Sequence, residues 1–207
     1  MNVGTGAFMP RLSLTDLVDV VSKAGSPKAT KVRQIKNRES YNPATDFYKP
    51  LREGIVAIHQ AGQPKAELDS ILNALTDLKK RSTYPVLIEG YRKWWGGKVL
   101  QWVGPPSATY TYGGIDVSVN PETGLYCNDV PYVIKLYLKD DDVNKAKMDL
   151  ITALMEHCLR PKVKGDVRMA VLDVRASKLY TLGTNPAGQK AIIDAELAYV
   201  AALWPNV

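Results

Sequence analysis

Residues 108–139, ATYTYGGIDVSVNPETGLYCNDVPYVIKLYLK, decide the fold class of this chain. An apolar set of side chains alternates with a second set over 115–119 and over 132–139, which is the period of a β-strand. Short turn sequences separate these runs, beginning with the two glycines at 113–114. Because a parallel pair needs a connection of about a dozen residues, these turns predict antiparallel pairing through residues 99–139.

Helical spacing of apolar residues dominates the chain on both sides of this stretch. After it, helices are predicted over about 143–159 and 185–204, with a strongly apolar strand over 168–174 between them. That strand follows a helix, so it can join the sheet in parallel. Before the stretch, the sequence predicts helices after Ser13, over 28–38, around 47–61, over 64–80 and from near Pro85 to Trp95.

These elements predict an α+β or α/β fold, with N-terminal helices packed on a mainly antiparallel mixed sheet that has flanking helices. Residues 1–207 are expected to form one compact unit, because no long linker or internal repeat divides the chain. Residues 1–98 are its helical, basic half and residues 99–207 its sheet-containing half. Two cysteines and two histidines exclude a disulfide scaffold, a four-cysteine zinc site and a multi-histidine metal centre.

The start of the chain gives no sign of export. Residues 1–12 lack the basic start and apolar run of a signal peptide. No stretch of about 18 apolar residues is present, which excludes a membrane-spanning helix. We therefore expect a cytoplasmic protein whose cysteines are reduced thiols.

The net charge of +6 is concentrated in the first half of the chain. Residues 1–100 hold 16 basic and 9 acidic side chains, whereas residues 101–207 hold 11 and 12. A basic cluster attracts DNA or RNA by counterion release, but it is also typical of a solvated helix face. No acid occurs between Val20 and Arg38, so the candidate nucleic-acid contacts are Lys28, Lys31, Arg33, Lys36 and Arg38.

Three acids and one lysine around the predicted strands suggest a metal-dependent hydrolytic site. Asp116 and Lys135 lie on neighbouring segments of the meander, Glu122 lies in the turn between them, and Glu89 lies on the preceding helix. Such groups can hold Mg²⁺ or Mn²⁺ and activate a water for phosphodiester hydrolysis. The candidate catalytic residues are Asp116, Glu122 and Lys135, and the candidate metal ligands are Asp116, Glu122 and Glu89. The alternative is an exposed Asp116–Lys135 cross-strand pair, which contributes roughly 0.2–1 kcal/mol.

The order helix, three-strand meander, helix and strand over residues 85–174 resembles the core of the PD-(D/E)XK, or restriction-endonuclease-like, superfamily. In that family an Asp on the second strand acts with an acid-x-Lys motif on the third. Asp116 matches the Asp and Lys135 matches the lysine, whereas Val133 stands at the acid position. The resemblance implies a metal-dependent nuclease in which Glu122 replaces the missing acid if its turn folds back. Because valine binds no metal, we expect cleavage to be slow or absent.

Three classes of function follow from these patterns. The first is a divergent or inactive PD-(D/E)XK-like nuclease that acts in a nucleic-acid context. The second is a non-catalytic nucleic-acid-binding protein, since the helices over residues 13–38 loosely resemble a helix-turn-helix. The third is a protein-interaction module or homo-oligomer, supported by aromatic residues near the start of the sheet: Trp94, Trp95, Trp102, Tyr110 and Tyr112.

Overall fold

The computed structural model describes residues 10–38, 46–141, 144–183 and 185–207. The sequence predicts that residues 1–12 are not a signal peptide. Residues 1–9 of this segment lie outside the described part of the chain. Across the four described ranges, no helix combines the length and the apolar character needed to cross a bilayer.

In the described residues, a short strand and five helices precede five strands, and a helix, two strands and a last helix follow. The helices are α1 (Leu14–Val21), α2 (Gly25–Lys36), α3 (Lys49–Gln60), α4 (Leu68–Asn73), α5 (Leu78–Trp95), α6 (Lys145–Leu159) and α7 (Pro186–Leu203). The strands are β1 (Arg11–Ser13), β2 (Leu100–Val103), β3 (Ala108–Tyr112), β4 (Ile115–Val119), β5 (Thr123–Cys127), β6 (Val130–Tyr137), β7 (Arg168–Asp173) and β8 (Lys178–Thr181).

The main sheet has five strands in the order β2-β5-β6-β7-β8. β6 and β7 are parallel, and every other neighbouring pair in this sheet is antiparallel. The antiparallel pairing predicted for residues 99–139 is confirmed, and so is the parallel entry of the strand predicted over 168–174. The mixed α+β class is likewise confirmed.

The single continuous meander expected from the sequence is wrong, because β3 and β4 leave the main sheet. They form a separate three-stranded sheet in which β4 lies between β3 and β1, and β1 runs parallel to β4. Gly104, Pro105 and Pro106 follow β2, and the two prolines lack the amide protons needed to continue a ladder. The chain therefore ends β2 there and crosses to a new sheet before it returns as β5.

The five-stranded sheet lies between two apolar layers. On one face it packs against α3, α4 and α5, and on the other against α1, α6, α7 and the small sheet. β6 serves both layers, since Ile134 and Leu136 belong to the first while Val133 and Tyr137 belong to the second. A strand in this position is buried on both faces, which is typical of a strand with a parallel neighbour.

Capping residues decide where two of the helices begin. Asp77 accepts hydrogen bonds from the amides of Lys79 and Lys80 at 2.8 and 3.1 Å, so α5 begins before Pro85. The predicted helix over 64–80 is therefore wrong, because its last residues belong to α5. α6 begins two residues later than the predicted 143, after its cap Asn144.

Gly90 allows α5 to approach the turn after β7. A Cβ atom built on Gly90 would lie 1.9 Å from the backbone oxygen of Val174. The carbonyl of Gly90 also accepts a hydrogen bond from the Ser177 hydroxyl at 2.8 Å. No side chain fits at this contact unless the helix moves away from the sheet.

We predict that Gly90→Ala lowers the free energy of unfolding by about 3 kcal/mol, because overpacking outweighs the gain of roughly 1 kcal/mol in helix propensity. Urea denaturation measures the change. Gly97→Ala is the matched control, since nothing lies within 4 Å of a Cβ at Gly97. Equal stability of the two variants would contradict the close approach.

His59 is a neutral residue of the α3–α5 layer. Its side chain is 4% exposed, Nε2 is 2.8 Å from the Tyr91 hydroxyl, and the ring packs on Trp95 at 4.5 Å. Burial lowers the pKa of His59 to about 4. Because the unfolded chain binds this proton near pH 6.5, stability is full above that pH and is lost as the pH falls towards 4.

We predict that lowering the pH from 7 to 5 removes roughly 2 kcal/mol of stability through His59 alone. Urea denaturation of wild type and His59→Gln at both pH values isolates this contribution. The variant should lose correspondingly less stability, whereas His157→Gln, at an exposed position, should behave like wild type. Identical pH dependence in wild type and His59→Gln would contradict the assignment.

Candidate functional site

Glu122 and Lys135 meet across the two central antiparallel strands of the main sheet. Thr123 is the register partner of Ile134, and extending that register by one residue places Glu122 opposite Lys135. The Lys135 ammonium donates a hydrogen bond to Glu122 Oε1, and the amide of Leu136 donates to Glu122 Oε2 at 2.7 Å. The Lys135 and Glu122 side chains are only 13% and 11% exposed. The turn before β5 does fold back onto the lysine, as the nuclease interpretation requires.

Asp46, three residues before α3, and Arg52, in its first turn, extend this pair into a four-residue charge cluster. Arg52 Nε lies 4.0 Å from Glu122 Oε1, and Arg52 Nη2 donates to Asp46 Oδ2 at 2.6 Å. Asp46 also accepts a hydrogen bond from the amide of Tyr48 at 3.1 Å. We define the charge cluster as Asp46, Arg52, Glu122 and Lys135. Sequence reasoning missed its first two members, since nothing in the local pattern connects α3 with strands about 70 residues away.

Asp116 does not join the cluster, and the prediction that it neighbours Lys135 is wrong. Asp116 is on β4, in the small sheet, whereas Lys135 is on β6. Ile115 and Val117 occupy the buried face of β4, so Asp116 lies on the opposite face. There it accepts a hydrogen bond from the Thr111 hydroxyl at 2.6 Å. The alternative of an exposed Asp116–Lys135 pair is wrong for the same reason.

Glu89 is also separate from the cluster. It lies on α5 with a side chain that is 68% exposed, and it pairs with Arg92 of the same helix at 3.0 Å. In the described ranges, no three His, Cys, Asp or Glu side chains come together in a way that could hold a metal ion. The predicted ligands Asp116, Glu122 and Glu89 therefore do not form one metal site.

The charge cluster is a partly enclosed set of two cations and two carboxylates, and both carboxylates already accept hydrogen bonds. A lysine ammonium has three N–H donors. One of them donates to Glu122, so Lys135 can still donate to an anionic oxygen. Both oxygens of Glu122 accept a hydrogen bond, yet each keeps a second lone pair. Glu122 is thus the one predicted metal ligand that contacts Lys135, and a cation bound there would be held weakly.

The basic residues of the α2 region are largely neutralised within the fold. Some of their partners lie on α1, the preceding helix. The others lie on α7 and in the C-terminal turn, which are far away in sequence. The contacts are Lys28–Glu196 at 2.7 Å, Lys31–Asp19 at 2.8 Å, Arg38–Asp16 at 3.0 Å, and Lys36 to the Trp204 carbonyl at 2.7 Å. Arg33 has no ion pair with any described residue. Phosphate binding by this region stays a prediction, with fewer available cations than the sequence indicates.

Asp19 forms ion pairs with two lysines. It lies on α1 and accepts from Lys31 of α2 and from Lys139 after β6, both within 2.8 Å. This carboxylate joins the two N-terminal helices to the end of the main sheet.

Lys31→Gln should therefore lower the free energy of unfolding by about 1 kcal/mol, because it removes a close partner of a mostly buried carboxylate. Arg33→Gln makes the same chemical change two residues later and should cost less than about 0.5 kcal/mol. Urea denaturation at low salt compares them. A larger loss for Arg33→Gln than for Lys31→Gln would be inconsistent with this pairing.

Most of the predicted aromatic surface is buried, and neither cysteine is an activated thiol. Trp94, Trp95 and Tyr110 are buried. Of the five residues in the predicted aromatic surface, only Trp102 and Tyr112 remain. Burial raises the pKa of the Cys127 and Cys158 thiols to about 11. Both thiols are protonated at neutral pH and are poor nucleophiles.

Comparison of the chain with protein-family models, with curated proteins and with solved structures finds no match.

Proposed function

We propose that this chain is a divergent PD-(D/E)XK-like protein that acts on nucleic acid, with Glu122 and Lys135 at its site. The observation that carries the proposal is their contact across the second and third strands of the main sheet. An acid and a lysine in this relation are what the resemblance requires.

The connectivity of the main sheet supports the proposal. The order α5, β2, β5, β6, α6, β7 follows the expected helix, three antiparallel strands, helix and parallel strand. The β3–β4 hairpin is then an insertion between the first and second strands. The second strand is therefore β5 rather than β4, so Glu122 takes the role that the sequence assigned to Asp116.

The departure at the second acid position limits what the site can do. Val133 is 3% exposed and belongs to the apolar core, so it offers no ligand. Glu122 would hold Mg²⁺ or Mn²⁺ alone among the family positions, and Lys135 would donate to a phosphate oxygen. The bound ion would supply an activated water and charge stabilisation. We therefore expect cleavage to require millimolar metal and to be slow.

We predict that Glu122→Gln and Lys135→Met each reduce the cleavage rate at least 100-fold, since each removes a group at the reacting phosphate. Cleavage of single-stranded and duplex DNA and RNA is measured with Mg²⁺ and with Mn²⁺. Asp116→Asn and Glu89→Gln are matched controls and should retain the wild-type rate within two-fold. Thermal unfolding verifies that each variant is folded.

Cleavage that survives both Glu122→Gln and Lys135→Met would refute the site. Loss of cleavage in Asp116→Asn would instead support the assignment made from the sequence. If wild type cleaves no substrate with either metal, catalysis is contradicted and the binding alternative below is favoured.

The second candidate is a nucleic-acid-binding protein without catalysis. The engagement of both Glu122 oxygens by protein donors favours it, because a carboxylate held in this way is a poorer metal ligand. Salt-sensitive binding to DNA or RNA without cleavage is the expected result for this candidate.

A further inference from the structure

A polar cleft of about 520 Å³ lies beside the small sheet, outside the charge cluster. It is formed by β1, by the adjacent strands β3 and β4, and by the turn that follows α6. Its lining residues are Arg11, Ser107, Ala108, Thr109, Ser118, Asn120 and Lys162. Two of them are cations, four carry hydroxyl or amide groups, and none is acidic.

The two cations of the cleft keep most of their donors available. Arg11 Nη2 donates to the Thr109 hydroxyl at 3.3 Å, and Lys162 Nζ donates to the Ser107 carbonyl at 2.6 Å. Neither cation forms an ion pair with any residue in the described part of the chain. A guanidinium has five N–H donors and an ammonium has three, so Arg11 has four donors and Lys162 two that no described residue engages.

The uncharged groups of the cleft add donors without adding negative charge. Thr109 and Ser118 are register partners on β3 and β4. The nearest acid along the register is Asp116, which pairs with Arg11 between β4 and β1 but hydrogen-bonds to Thr111 at 2.6 Å. The cleft is therefore a convergence of cationic and neutral donors, which is the composition that binds an oxyanion.

We infer that this cleft binds a phosphate group of a polynucleotide. A phosphodiester carries one negative charge on two free oxygens, which suits two separated cations and neighbouring hydroxyls. Free phosphate shares this chemistry, so the test below separates the two sources.

The cleft lies close to the charge cluster along the chain, and this favours a polynucleotide as the source of the phosphate. Asn120 lines the cleft, and Glu122 of the charge cluster follows two residues later. Two residues span at most about 7 Å between Cα atoms. An extended chain of phosphates, unlike free phosphate, can therefore continue from the cleft towards the charge cluster. In this respect the inference rests on the proposed function, since it assumes nucleic acid at Lys135.

The test is the affinity of Arg11→Gln/Lys162→Gln for fluorescein-labelled 20-nucleotide DNA and RNA, single-stranded and duplex. Fluorescence anisotropy is recorded in EDTA, so no metal-dependent cleavage occurs, and at several salt concentrations. The double variant should bind about ten-fold more weakly. Its plot of log affinity against log salt should be flatter by about 1.4 for single strands and 1.8 for duplexes, as expected for two lost phosphate contacts.

Lys93→Gln/Lys178→Gln is the matched control. Both lysines are exposed, lie on α5 and β8, and have no ion pair among the described residues. The control removes the same net charge and should change the affinity less than two-fold. Equal weakening in the two double variants would overturn the inference, and so would the absence of wild-type binding at low salt.

Inorganic phosphate, added alone and followed by amide chemical shifts of Thr109 and Ser118, tests the other source. Saturation by phosphate, with oligonucleotides binding no more tightly, would overturn the assignment to a polynucleotide. Cleft-dependent binding without any cleavage supports the inference while contradicting the catalytic proposal. Cleavage by wild type with unchanged affinity in Arg11→Gln/Lys162→Gln contradicts the inference alone.

Discussion

A lysine in the middle of a strand buried on both faces is the constraint around which this structure is organised. β6 contributes Ile134 and Leu136 to one apolar layer and Val133 to the other, and Lys135 stands among them. An ammonium left unpaired in such a place costs several kcal/mol. The turn before β5 offsets this cost by bringing Glu122 into contact with Lys135. Arg52 in turn pairs with Asp46, the second carboxylate of the charge cluster. The same contact is both a structural requirement and the centre of the proposed site.

Charge available at the surface differs from charge counted along the chain. The α2 region carries the densest run of cations, but Asp16, Asp19 and Glu196 neutralise three of them. By contrast, Arg11 and Lys162 are far apart in sequence and converge on one cleft whose lining contains no acid. Since counterion release depends on cations that are free to meet phosphate, the cleft is a better candidate for the inferred phosphate contact than α2, the helix that the sequence favours.

The β3–β4 hairpin explains why Asp116 lies away from Lys135, although the sequence predicts that the two are neighbours. The sequence predicts that the strands of Asp116 and Lys135 are neighbours in one meander. In the structure β5 pairs with β6 instead, so Glu122, directly before β5, contacts Lys135. The hairpin places Asp116 in a separate sheet, where it accepts a hydrogen bond from the Thr111 hydroxyl.

Local patterns in the amino-acid order were enough for the class of fold, most helices, the antiparallel turns and the parallel entry of β7, because periodicity, caps and connection lengths act over a few residues. These local patterns do not predict which distant segments pair. The division into two sheets, the arrival of Asp46 and Arg52 at Glu122, and the neutralisation of α2 all depend on which surfaces the chain buries together. Such contacts join residues tens to more than a hundred positions apart. Only packing in three dimensions selects them, since burial of apolar area is indifferent to chain order.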